Sequence, residues 1–275
     1  TIFFIYPAVS GLLFSLYEWK GFSRERTFVG IAHFKELIHD AVFWRALTMN
    51  IRIMVIGGLF IFALAFVFLI CYNNIRFGKN SIRAMIFLPN IISPVAICII
   101  WNFVFNHRFG LLNNLLKAIG LENLQRIWLD PDHLIGAMIF VIIWTYVGYY
   151  FVILVSGVSK IPSSMYESAL IEGASSVQVF FRITIPLIWD VLTIAVVYWM
   201  VFSLKMFELV FSFTGFKPLL DTWNLSVYIY ILGFGKSDAI YRVGYAATVS
   251  VILMVLVMTF VMVSRRLMKR ESFEY

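Results

Sequence analysis

The chain has 275 residues, of which 61% are hydrophobic and only 13% charged, with a formal net charge of +7 at pH 7. A soluble domain carries about 25% charged residues, so a water-soluble globule, a disordered segment and a collagen-like repeat are excluded, and two cysteines exclude a disulfide scaffold. The basic residues are scattered between apolar stretches and form no stripe, which points to membrane topology and away from nucleic acid.

In chain order, windows free of Asp, Glu, Lys and Arg run from Thr1 to Tyr17, Ile53 to Ile75, Ala84 to His107, His133 to Ser159 and Val243 to Ser264. A shorter one, Val191 to Leu204, keeps its apolar character past Lys205 and Glu208 to Phe213. The prediction is an all-α polytopic membrane protein in one transmembrane domain over residues 1–275, with six spans near 1–17, 53–75, 84–106, 133–158, 188–212 and 243–264. At ~1.5 Å per residue the first window covers about 25 Å, short of a hydrocarbon core of about 30 Å, so the first helix is expected to start ahead of Thr1. Cys71 and Cys98 fall within spans, as small packing residues. The connection from Glu18 to Met49 is rich in large apolar residues and is expected to fold against the outer membrane surface. A tight basic turn, 73–79, joins the second and third spans. Pro89 and Pro94 are expected to break or kink the third. Charge counting alone does not orient the chain; only Arg265, Arg266, Lys269 and Arg270, close to a helix end, favour a cytoplasmic tail.

Residues 160–186 are the most informative loop. Pro162 precedes Ser164-Met165-Tyr166-Glu167, a Ser-x-x-Glu capping box, and the helix it opens is expected to stop at Gly173. Ser175-Ser176-Val177-Gln178 offers a second box, whose helix must end near Pro186. Met165, Tyr166, Ala169 and Leu170 form an apolar face on the first helix, and Ala169, Gly173 and Ala174 are small enough for close backbone approach. Such a face calls for a partner, or for the lipid or the chain's own spans.

The run from Tyr166, Glu167, Ser168 and Ala169 through Glu172, Gly173 and Ala174, followed by Phe180 to Leu187, resembles the Glu-Ala-Ala loop of ABC importer permeases. Ser168 stands where that pattern has its first Ala, and Glu172 where an Asp commonly precedes the glycine. Further tags occur in order: Tyr6-Pro7 with Ser15 to Trp19, Phe28 to Phe34, Phe109 to Asn113, Lys205 to Glu208 with Thr214-Gly215, Leu225 to Tyr230, and Val243 to Ala247. Together they are similar to carbohydrate importers of the maltose-permease type, although Gly215-Phe216-Lys217-Pro218 departs from the usual Gly-Gly-Gly-Pro. The resemblance implies the type I importer permease fold, a multi-pass location in the prokaryotic inner membrane, and a cytoplasmic coupling helix built from the seven residues Tyr166 to Ala169 and Glu172 to Ala174. It further implies a second homologous permease subunit, two cytoplasmic ATPase subunits that hold ATP and Mg, and an extracytoplasmic solute-binding protein that delivers sugar. No Gly-x-x-x-x-Gly-Lys-Ser/Thr occurs, so this chain is expected to bind no cofactor itself.

Candidate path residues follow from what a sugar needs, hydroxyl partners and flat apolar faces. Trp144, Tyr146 and Tyr149 in the fourth span and Trp199, Lys205 and Glu208 in the fifth supply both, the last two at i, i+3 spacing for an internal ion pair. Ring packing between helices is the alternative for the aromatic residues, and a structural pair for the two charges. The rivals are an ion-coupled secondary carrier, which calls for more intramembrane carboxylates than Glu208, and an integral membrane enzyme. The four histidines (His33, His39, His107, His133) lack ligand spacing, so no metal and no catalytic group is expected.

Overall fold

A computed structural model describes residues 2–22, 25–73, 75, 77–214, 220–235 and 241–268. The Gly215 to Pro218 variant of the outer loop, Asn74 and Arg76 of the basic turn, and the tail basic residues Lys269 and Arg270 lie outside them. Helix α1 (Ile2–Phe14) leads into a two-stranded antiparallel hairpin, β1 (Tyr17–Glu18) with β2 (Thr27–Phe28), in which Tyr17 faces Phe28 and Glu18 faces Thr27. Short α2 (Ala32–His39) follows.

The helix expected at 53–75 starts a dozen residues earlier: α3 runs as Ala41–Asn73. Asp40 caps it, its carboxylate accepting from the N–H groups of Val42 at 2.8 Å and Phe43 at 3.3 Å. The early turns carry Arg45 and Arg52, which is why a charge-free window misses them. A π-helical turn at Ile53–Gly57 interrupts α3.

The span expected at 84–106 is two helices, α4 (Lys79–Ile91) and α5 (Pro94–Val104), bent by 94°. The break falls at the second proline. Ile92 is extended, with ψ 139°, and so is Ser93, with ψ 142°, as the residue before a proline tends to be; Ser93 also caps α5 by accepting the Ala96 N–H at 3.3 Å. Pro89 sits inside α4. After α6 (Leu111–Ala118) comes α7 (Leu134–Val158), the hub of the bundle. Gly148 lets α7 touch the backbone of α4: a Cβ there would lie 2.0 Å from the Ile86 carbonyl oxygen.

Beyond the loop helices α8 (Ser163–Ile171) and α9 (Ser176–Leu187), α10 (Trp189–Lys205) departs at 76° to α9. The span expected at 188–212 breaks at Met206, which is extended with ψ 112°, and α11 (Glu208–Thr214) resumes beyond it. Helices α12 (Leu225–Phe234) and α13 (Val243–Met268) complete the described chain. By length and composition α3, α7 and α13 can each cross a membrane, and the two bent pairs raise the number to as many as five among the described residues.

At the end opposite residues 160–186, one polar bracket fixes α2, the capped start of α3, α12 and α13 together. The Asp40 carboxylate accepts from the hydroxyls of Tyr228 at 2.5 Å and Tyr245 at 2.7 Å, and Arg242 grips Glu36 with two bonds of 2.6 and 2.8 Å. Burial pulls the Asp40 carboxyl upward, but the two phenols and two backbone N–H groups outweigh it and hold the carboxyl below its ordinary 3.8. Glu36 is likewise lowered, first by its bond to Arg242 and against its own desolvation.

Candidate functional site

The fourth and fifth expected spans converge on a cavity. Tyr146 on α7 packs its ring edge-on against Phe202 of α10 at 4.8 Å, and Tyr149 leans on Tyr198 at 5.7 Å. Just past these rings α10 ends, and the interruption places Lys205 and Glu208 on the same opening. The resulting cavity of about 460 Å³ is walled by Pro94, Tyr146, Tyr198, Phe202, Lys205 and Glu208, among others. A smaller one of about 130 Å³ adjoins it, sharing Tyr146, Tyr198 and Phe202 and adding Asn90, Tyr149 and Tyr150. Tyr150 is 1% exposed, and its hydroxyl is buried there with no hydrogen-bond partner among the described residues. Aromatic faces, phenol tips, an amide and two charges of opposite sign thus meet beside two broken helices, which is where non-helical backbone can line a polar route through a membrane.

The structure sorts the sequence candidates. Tyr146, Tyr149, Lys205 and Glu208 share this pair of cavities. Trp144 does not: it points to the other side of α7, where its ring meets Trp101 at 5.3 Å. Trp199 is 2% exposed and donates its indole N–H to the Met54 carbonyl at 2.8 Å, meeting an acceptor in the π-helical turn of α3. The expected Lys205–Glu208 ion pair is not formed, because the extended Met206 abolishes the helical i, i+3 relation. Both side chains are exposed.

Reasoning from sequence missed Asn50 and Asn224, both fully buried at 0% exposure. Asn50 on α3 donates to the carbonyls of Ser203 at 3.3 Å and Leu204 at 3.0 Å, while its oxygen accepts the Leu225 N–H at 2.8 Å. Asn224 donates to the Met206 carbonyl and accepts from Val227 N–H at 3.0 Å as the cap of α12. The Asn-Leu-Ser at 224–226 reads as a helix start, which was the available signal for Asn224; nothing local marks Asn50.

On the opposite end, α8 begins at Ser163, so Ser164 sits in the first turn and the first capping box is not formed. The stop is as expected: Gly173 adopts φ 75°, and Ala174 N–H donates to the Ala169 carbonyl at 3.0 Å, the closing bond of a Schellman turn. The second box is complete, with Gln178 N–H donating to Ser175 Oγ at 3.3 Å and Ser175 N–H to Gln178 Oε1 at 2.8 Å. The apolar face of α8 is divided. Ala169 is buried and the Tyr166 hydroxyl lies 3.4 Å from Thr184 Oγ1, so these two face the chain's own spans, whereas Met165 and Ile171 point outward. Glu167, Ser168, Glu172 and Gly173 are exposed, and Val177 and Phe181 on α9 extend the apolar surface beside them.

The profile of binding-protein-dependent transport system inner membrane components matches residues 69–271. A probable ABC transporter permease protein, YurN of Bacillus subtilis, is 33% identical and aligns with 98% of this chain and 92% of its own length. The lactose transport system permease protein LacF of Rhizobium radiobacter is 32% identical over 94% of this chain and 87% of its own. In structure the chain is similar, with a TM-score of 0.79 and 25% identity, to a bacterial alginate ABC transporter solved in complex with an alginate pentasaccharide-bound periplasmic protein; 97% of this chain and 90% of that one superpose. The readings as a secondary carrier or a membrane enzyme are thereby set aside. The chain belongs to the family of binding-protein-dependent transport system inner membrane components, as a non-catalytic permease subunit of an ABC transporter.

Proposed function

We propose that this permease imports a sugar or oligosaccharide, and that the cavity between α7, α10 and α11 is its half of the solute path. The observation that carries the reading is the meeting of Tyr146, Tyr149, Lys205 and Glu208 at the break of α10, where phenols and charges order hydroxyls while rings receive the sugar's CH faces. The naming of a relative for lactose and of a structural neighbour for an alginate oligosaccharide supports the substrate class. Trp144 and Trp199 act in packing instead. The membrane is crossed six times, α1 supplying the first crossing and α4–α5 and α10–α11 one broken crossing each, with residues 160–186 in the cytoplasm.

The partners in this reading are a second homologous permease, two ATPase subunits that carry ATP and Mg, and an extracytoplasmic binding protein like the one in the alginate complex. Met165, Glu167, Ser168, Ile171, Glu172 and Gly173 meet the ATPase, while Tyr166, Ala169 and Ala174 secure the helix to the turn and the spans. ATP hydrolysis belongs to the partner. The test is uptake by the reconstituted four-subunit complex with its binding protein. Tyr146→Phe and Tyr149→Phe keep the rings and remove only hydroxyls, so reduced uptake or altered sugar preference, with assembly and ATPase activity intact, is expected. Parental uptake and preference in both variants and in Glu208→Gln rejects the path assignment.

A further inference from the structure

The last carbonyls of a helix have no partner within it, and within a membrane protein they must find one in the fold. At the end of α10 they include the carbonyls of Ser203 and Leu204, with that of Met206 just past the last turn. All three are taken by two side chains, Asn50 and Asn224. These same peptides carry Lys205 between them and Glu208 two residues on. An amide side chain donates and accepts from a single planar group, and each Asn uses both functions, donating to the end of α10 and accepting from the start of α12. Asn50 adds α3 to the joint. Beyond it, Tyr228 on α12 is anchored to Asp40, so the linkage runs from the cavity wall to the outer bracket without a gap.

We propose that Asn50 and Asn224 are positioning residues for solute passage: the two amides set where α10 stops and how Lys205 and Glu208 stand to the cavity. Movement of α3 or α12 is thereby transmitted to the cavity wall. This rests on the reading of the cavity as the solute path, and the test separates the two. In the reconstituted complex carrying Cys71→Ser, Val201→Cys places a thiol on the cavity wall. Its rate of modification by a membrane-impermeant thiol reagent is measured with and without sugar-loaded binding protein and trapped nucleotide, beside uptake kinetics. Asn50→Asp and Asn224→Asp each keep the acceptor and lose the donor; the latter retains the α12 cap, so it assembles where the former fails to.

The expected result is an apparent KM for sugar raised about tenfold and a changed modification rate in assembled complex, with the maximal ATPase rate less affected. A merely structural role lowers thermal stability and yield and leaves both readouts of the assembled fraction alone. Parental KM and parental modification rate in assembled Asn224→Asp therefore overturn the proposal while sugar protection of Val201→Cys in the otherwise unaltered chain upholds the path. Absence of that protection overturns the path reading, and the positioning role falls with it.

Discussion

Gly148→Ala tests the contact on which the bundle is centred. The added methyl carbon would stand 2.0 Å from the Ile86 carbonyl oxygen and 3.0 Å from Phe87 Cα, where ordinary contact begins at 3.4 Å. Both obstacles are backbone, so no rotamer change relieves them, and α4 and α7 must part by about 1.4 Å. Overpacking of a core costs about 1–3 kcal/mol when side chains adjust, and the upper end applies when they cannot. For a chain of this size about 3 kcal/mol corresponds to a midpoint about 6–12 °C lower. The separation also moves Tyr146 and Tyr149 away from Asn90, so uptake is expected to fall with stability. Gly136 on the same helix is the control, since nothing lies within 4 Å of a Cβ built there and Ala is the better helix former. Thermal unfolding in nanodiscs decides the matter. A Gly148→Ala midpoint no lower than that of Gly136→Ala refutes the backbone contact and the placement of α7 at the centre.

Trp199→Phe keeps a ring against α3 but removes one of the two donors to the Met54 carbonyl, leaving the Gly58 N–H, so unfolding at about 0.5–1.5 kcal/mol less is expected, measured by denaturation in nanodiscs, with sugar preference unchanged. Gly173→Val forces a β-branched residue to φ 75°, and the bend between α8 and α9 is expected to reset, so ATP hydrolysis continues while uptake falls; intact uptake counts against the loop as the coupling element. Asp40, held below its ordinary 3.8, stabilises the fold above that value, and the benefit is lost as pH falls through its depressed folded pKa. The midpoint of the parent is therefore expected to drop more steeply than that of Asp40→Asn between about pH 4.5 and about pH 3, and equal slopes refute the bracket's contribution.

Features whose partners lie within a few residues were legible beforehand. The Gly173 stop and the Ser175–Gln178 box are closed by neighbours, and the apolar windows show most of the long helices because lipid permits so few charges. The break between α10 and α11 was not legible. Lys205-Met206-Phe207-Glu208 contains no proline or glycine, and the interruption there is held by Asn50, 154 residues away from Leu204 in sequence. Conversely Ser164 matched a box that does not form, because the helix starts at Ser163, two residues ahead of the Met165 start that box requires. The placement of Trp144 away from the two tyrosines was legible: at about 100° per residue it stands some 160° from Tyr146, and of the three only Tyr146 and Tyr149, about 60° apart, share a face. The Lys205–Glu208 spacing was a sound helical argument applied across a point where the helix ends.

The bundle is unevenly enclosed, with 61% of the span window of α7 buried against 17% of that of α13. The two helices therefore obey different substitution alphabets. Met138, Ile142 and Leu154 on α7 are fully enclosed, and each must be replaced by something of matching volume and branching. Along α13, Val255, Met258 and Met262 are about half exposed or more and touch little of this chain. Where such a face meets lipid, Leu, Ile, Val, Met and Phe interchange freely while Lys or Asp does not enter. In a saturation library selected for uptake, α7 should consequently read as a list of particular residues and the outer face of α13 as a single chemical class, so that a profile built on residue identity loses the last helix first as homologous chains drift apart.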